Sequence, residues 1–160
     1  MGEERTMNIY FYNTDLGRIG IAERSGRITA LYFEGEGVPE KTEVCETAVL
    51  KEAAAQLKAY LAGYRRNFSL PLEPVGTPFM QSVWRALCDI PYGTTVSYKE
   101  IAAAVGKPKA SRAVGMANNR NPLPVFIPCH RVVGASGALV GYGGGLDIKI
   151  KLLETEKKNR

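Results

Sequence analysis

The chain is poor in the residues that build cross-links and metal cages. Among its 160 residues are three cysteines, Cys45, Cys88 and Cys129, and one histidine, His130. So sparse and odd a set makes no disulfide framework, and points to a reducing, cytoplasmic compartment. The four residues show neither C-x-x-C nor H-x-x-x-H spacing, so no metal site is expected. No apolar run nears the roughly 20 residues of a membrane span. The charged opening MGEERT lacks the apolar core of a secretory signal. Internal repeats and low-complexity tracts are missing too. What is present is a hydrophobic content of 45%, too high for a disordered chain, and a net charge of +5. A modest basic excess suits a polyanionic partner without demanding one.

The order of patterns predicts an α/β chain of two domains, 1–72 and 73–160. Short runs rich in Ile, Tyr and Phe at 8–12, 18–23 and 27–33 are separated by turn signals, which predicts an antiparallel meander. Leu50, Ala53, Ala54, Leu57 and Leu61 recur at helical spacing, predicting a helix over about 42–62 that Gly63 caps. Residues 67–70 read as a returning strand. Pro71, Pro74 and Gly76 then mark a linker.

The second part is more helical. Thr77-Pro78 opens a helix that Pro91 forces to end by 90. Ser97-Tyr98-Lys99-Glu100 is a capping box, so a new helix begins at Tyr98 and stops at Gly106. A short turn leads to a third helix over 111–118, giving a helix-turn-helix pattern. Residues 125–127 read as a buried strand or extended run that delivers Cys129. A glycine-rich loop follows, then a last helix over 147–157.

Two features carry chemistry. The third helix has small residues at Ala110, Ser111, Ala113, Gly115 and Ala117, with Arg112 among them and Lys107 and Lys109 before it. Small side chains let a helix approach the narrow minor groove, and cations beside a helix N-terminus favour phosphate. An alanine-rich helix serves equally as a packed core helix. The second feature is Cys129, followed directly by His130 and Arg131. A thiol attacks as thiolate, which needs a base or positive charge nearby. If the segment is a strand, neighbours point to opposite faces, and a water must bridge His130 to the sulfur. For an arbitrary cysteine, a buried inert thiol is the ordinary alternative.

Ile127-Pro128-Cys129-His130-Arg131-Val132-Val133 resembles the active-site signature of the O6-alkylguanine-DNA alkyltransferases. Pro91 to Tyr98, Ser111-Arg112-Ala113-Val114-Gly115, Asn121-Pro122-Leu123-Pro124, Gly141-Tyr142 and Gly144-Gly145-Leu146 are similar to that family's further motifs. The likeness is dense from Pro78 to Glu156. It implies a ribonuclease-H-like sheet-plus-helix domain, then a mainly α, winged-helix-like helix-turn-helix domain. It also implies irreversible, single-use transfer of an alkyl group from O6-alkylguanine in duplex DNA, with O4-alkylthymine left open as a second lesion.

By position, the resemblance makes Cys129 the nucleophile and alkyl acceptor. His130 deprotonates it through a water, Glu156 supports His130, Asn121 holds the hinge, and Tyr98 donates to the leaving guanine. Arg112 fills the stack where a base has flipped, with Ser111, Ala113, Lys107, Lys109 and Asn118 also against DNA. Tyr98, Val132, Tyr142, Gly143 and Lys149 line the pocket. The thioether product has no carbonyl for water to attack, so no turnover and no cofactor are expected. Neither an obligate protein partner nor a membrane is implied, and one flipped base needs only a monomer.

The chain departs from the usual family pattern at Asn119, Ala135 and Lys151, which leaves the preference for methyl or larger groups open. Cys45 and Cys88 read as structural. Three rivals stand beside this reading. One is a transcription factor, which has the helices without the chemistry. Another is a cysteine hydrolase. The last is an alkyltransferase-like sensor, which has Trp where this chain has Cys129.

Overall fold

The computed structural model describes residues 6–139 and 142–160. The chain divides into two compact units, Met1–Pro74 and Val75–Arg160.

In the first unit, β1 (Met7–Thr14), β2 (Gly17–Arg24) and β3 (Arg27–Tyr32) pair antiparallel. The short β4 (Thr42–Val44) joins β1 in parallel, giving the order β3-β2-β1-β4. Helix α1 (Ala48–Leu61) lays Leu50, Ala53, Leu57 and Tyr60 on the sheet, all buried, as its apolar spacing requires.

Two expectations fail here. Residues 42–44 are strand rather than the start of the helix, because Thr47 holds an extended N-cap conformation and the segment before it pairs with β1. Residues 67–70 form no strand; the chain returns to the sheet only at Leu72. There Ile28 donates its N–H to the Pro71 carbonyl, and Glu73 donates to the Ile28 carbonyl. These bonds tie residues 71–73 to the first unit.

The second unit contains α2 (Pro78–Cys88), β5 (Val96–Ser97), α3 (Tyr98–Ala104), α4 (Ser111–Asn119), β6 (Val132–Val133) and α5 (Leu146–Asn159). The caps follow the sequence. Thr77 Oγ1 accepts from the Met80 N–H with Pro78 in the first turn. Ser97 and Glu100 close a reciprocal capping box at 2.7 and 3.1 Å. Helix α3 ends where Gly106 takes a φ of +76°, which favours glycine, and a tight turn then leads into α4. Trp84 of α2 is buried and donates Nε1–H to the Ala117 carbonyl of α4 at 2.9 Å.

The approach to Cys129 differs from expectation. Residues 125–127 are a tight turn, with Val125 at a φ of +74° and the Ile127 N–H bonded to the Leu123 carbonyl. Cys129–Arg131 then forms one turn of 3-10 helix. Cys45 and Cys88, read as structural, are exposed. No described helix is long and apolar enough to cross a membrane.

Candidate active site

The site is assembled by a pairing distant in sequence. β5 and β6 run parallel, Val96 opposite Val132 and Ser97 opposite Val133. This pins the start of α3, and so Tyr98, beside the segment that carries Cys129. Asn121 shapes that segment from within. Its Nδ2 donates to the Ile127 carbonyl at 2.9 Å and its Oδ1 accepts the Leu123 N–H at 2.9 Å, bracketing the turn. A side-chain hydrogen bond from Asn121 also reaches Cys129.

A 3-10 turn has three residues per turn, so successive side chains fan outward instead of alternating between two faces. His130 and Arg131 can therefore both reach α5, while Cys129 turns toward Asn121. On α5, Lys149, Leu152 and Glu156 fall on one buried face. Lys149 Nζ donates to the Val132 carbonyl at 2.7 Å. Glu156 Oε2 lies 2.7 Å from His130 Nε2, and the Arg131 fork contacts both carboxylate oxygens at 2.9 Å. The Gly93 N–H adds a bond to Oε1 at 3.1 Å. Lys149, Glu156 and His130 are at most 1% exposed. A polar group so buried needs a hydrogen-bond partner, and here each has one.

Electrostatics set the resting state. Burial pushes the Cys129 thiol from 9.0 up to about 11, against the opposing pull of Asn121, Lys149, its backbone and Tyr142. At neutral pH the sulfur therefore carries its proton until a base removes it. Burial also holds the His130 imidazole below its ordinary value, although Glu156 pulls the other way. Burial raises the Tyr98 phenol, and the nearby Cys129 raises it further. Lys149 is lowered by burial, with Cys129 opposing. Next to an ionised Glu156, the neutral imidazole places its hydrogen on Nε2, leaving Nδ1 as the basic nitrogen.

The structure brings Cys129, His130, Glu156, Asn121, Tyr98, Val132, Lys149 and Tyr142 into this site. Gly143 lies exposed beside it, and Gly141 falls outside the described residues. Arg112, Ala113, Lys107 and Lys109 are exposed, and Ser111 half-buried, around the start of α4. Asn118, grouped with them, is placed otherwise. It is 2% exposed and its amide faces the Cys129 carbonyl at 3.4 Å, so it backs the Cys129 turn. The sequence marks Arg131 only as a charge beside Cys129; its clamp on Glu156 has no local signal. Among the described residues, no group of three His, Cys, Asp or Glu is placed to hold a metal ion.

Known proteins resemble the chain over most of its length. The family model described as 6-O-methylguanine DNA methyltransferase, ribonuclease-like domain, matches residues 7–74. The model for the DNA binding domain of the same methyltransferase matches residues 78–158. The constitutive methylated-DNA–protein-cysteine methyltransferase of Bacillus subtilis (strain 168) is 52% identical over 159 residues, covering 94% of this chain and 96% of the relative. The enzyme of that name from Methanosarcina barkeri is 60% identical over 109 residues, 68% of this chain and 69% of its own. The crystal structure of Mycobacterium tuberculosis OGT in complex with DNA superposes with a TM-score of 0.90 at 41% identity, covering 95% of this chain and 94% of that one. The chain belongs to the 6-O-methylguanine DNA methyltransferase family.

Proposed function

We propose that this chain repairs alkylated duplex DNA by moving the alkyl group from O6 of guanine to Sγ of Cys129, once per molecule. The observation that carries the reading is the single buried cluster joining the Cys129 turn to the His130–Glu156 pair, with Tyr98 and Lys149 beside the sulfur. Cys129 is 4% exposed, so a lesion stacked inside a duplex does not reach it. The damaged nucleotide must swing out, at a cost of a few kcal/mol. Arg112 offsets part of that cost by entering the stack. The small residues Ser111 and Ala113 let α4 approach the groove, and Lys107 and Lys109 hold phosphates.

The transfer balances without a further reactant. The thiol proton passes to His130 through a bridging water, and Glu156 stabilises the imidazolium. The S–C bond forms as the C–O6 bond breaks. Tyr98 gives its phenolic proton to the departing guanine and is reprotonated, through water, by the His130 imidazolium, so guanine gains one proton net and the sulfur loses one. Lys149 and Asn121 favour the transient thiolate. Tyr142, Gly143 and Val132 wall the pocket. O4-alkylthymine presents a similar alkyl–oxygen bond and is a second candidate lesion. We place DNA contact and chemistry in the second unit, residues 75–160, the protein acting as a monomer in the cytoplasm, where the thiol stays reduced.

The test is mass analysis after mixing with duplex DNA containing O6-methylguanine. The Cys129 peptide should gain one methyl group, and Cys129→Ala should gain none. Tight binding without mass gain would instead indicate a sensor.

A further inference from the structure

Arg131 has no part in the relay just described, yet its side chain lies buried at the centre of it. Its Nε donates to Glu156 Oε1 and one terminal nitrogen to Oε2, each at 2.9 Å. The other terminal nitrogen donates to the Ile90 carbonyl at 2.8 Å. Tyr92 faces the guanidinium at 5.6 Å from its ring centre.

The first consequence concerns position. A planar fork engages a carboxylate through both oxygens and so fixes its plane, which an ammonium does not do. Each Glu156 oxygen then has two donors: Arg131 and the Gly93 N–H on Oε1, Arg131 and His130 on Oε2. The carboxylate is saturated and cannot rotate away from the imidazole without breaking the fork.

The second consequence concerns charge. A buried carboxylate whose sole neighbour is an imidazole draws a proton onto the ring and rests as an ion pair. A ring already protonated cannot take the proton from Cys129. A guanidinium already paired with the carboxylate opposes that second positive charge.

We infer that Arg131 is a positioning residue of the alkyl-transfer site, aiming Glu156 at His130 and keeping the imidazole neutral until the thiol proton arrives. This rests on reading Cys129 and His130 as donor and base. The charged groups that face His130 are Glu156 and Lys149 from α5 and Arg131 from its own turn. From α2, the titratable groups nearby are Cys88, which feels Arg131, and Asp89 beside it. Burial, Arg131 and Lys149 all hold the imidazole low, and Glu156 opposes them.

His130 is the chain's only histidine, so one set of imidazole NMR signals reports on it without ambiguity. In the wild-type protein the ring should titrate below the ordinary value of about 6.5 and carry its hydrogen on Nε2 at neutral pH. A ring protonated at neutral pH overturns the inference. In Arg131→Met the midpoint should rise by about one pH unit. The acidic limb of the alkyl-transfer rate should move with it. An unchanged midpoint in a folded Arg131→Met protein also overturns it. Arg131→Lys keeps the charge but not the fork, so the midpoint should return toward wild type while transfer stays slower. If Arg131→Met does not fold, the wild-type ring and Arg131→Lys decide. Wild-type transfer rates in Arg131→Lys contradict the positioning role. Failure of the underlying relay reads differently, as wild-type protein that adds no alkyl group to Cys129.

Discussion

At the scale of single residues, the difficulty for Cys129 is charge rather than placement. Its thiol sits near 11, so almost none is ionised at neutral pH until a base takes the proton. Lys149 is the buried cation that favours the anion, and it is fixed by the Val132 carbonyl. Lys149→Met should push the thiol higher still. Each unit of that rise lowers the thiolate fraction about tenfold, so single-turnover transfer at neutral pH should slow by about that factor. A rate within twofold of wild type contradicts this role. Asn121 is expected to matter through structure as well as charge. Asn121→Ala leaves the Leu123 N–H unpaired in a buried turn and strips the Ile127 carbonyl of one of its two donors, the other being the Cys129 N–H, which should cost about 2 kcal/mol in denaturant unfolding.

At the scale of elements, caps and close packing place the groups of the proposed site. Tyr98 is the first residue of α3, so whatever frays that end displaces its hydroxyl. Ser97→Ala removes one arm of the capping box and should cost about 1 kcal/mol in chemical denaturation. Transfer should slow as well. Gly76 shows the packing limit: a Cβ there would run into the Trp84 ring, which its bond to Ala117 holds in place. Gly76→Ala should therefore lower the melting temperature, an overpacking cost of about 1–3 kcal/mol.

Local signals made the three-strand meander, the capping box, the helix starts of the second unit and the Cys129-His130 pair legible in the sequence, because each is written within a few residues. The features that escaped depend on partners far along the chain. Residues 42–44 become strand only because β1 offers an edge, and the Arg131 clamp on Glu156 closes only because α5 packs against the Cys129 turn. Val125, a β-branched residue at positive φ, ran against its own preference for extended backbone, held there by the Asn121 bracket.

At the scale of the whole molecule, the buried nucleophile links reactivity to stability. The folded chain holds the Cys129 proton up to about pH 11, whereas the unfolded chain releases it from 9.0. Its contribution is thus complete below pH 9 and is lost as pH rises through about 11, a change of about 2–3 kcal/mol. Wild type should lose more stability than Cys129→Ala across that interval, measured by chemical denaturation at fixed pH. Parallel curves would mean that the thiol is not held protonated.

The product adds irreversibility at the same scale. A thioether offers water no carbonyl to attack, so nothing in the site returns the sulfur to its starting state. The central claim is therefore stoichiometric. With O6-methylguanine duplex in excess, a time course of repaired lesion against protein should rise in one burst to one lesion per chain and then stay flat. Repair that continues past that ratio, at any steady rate, contradicts the account.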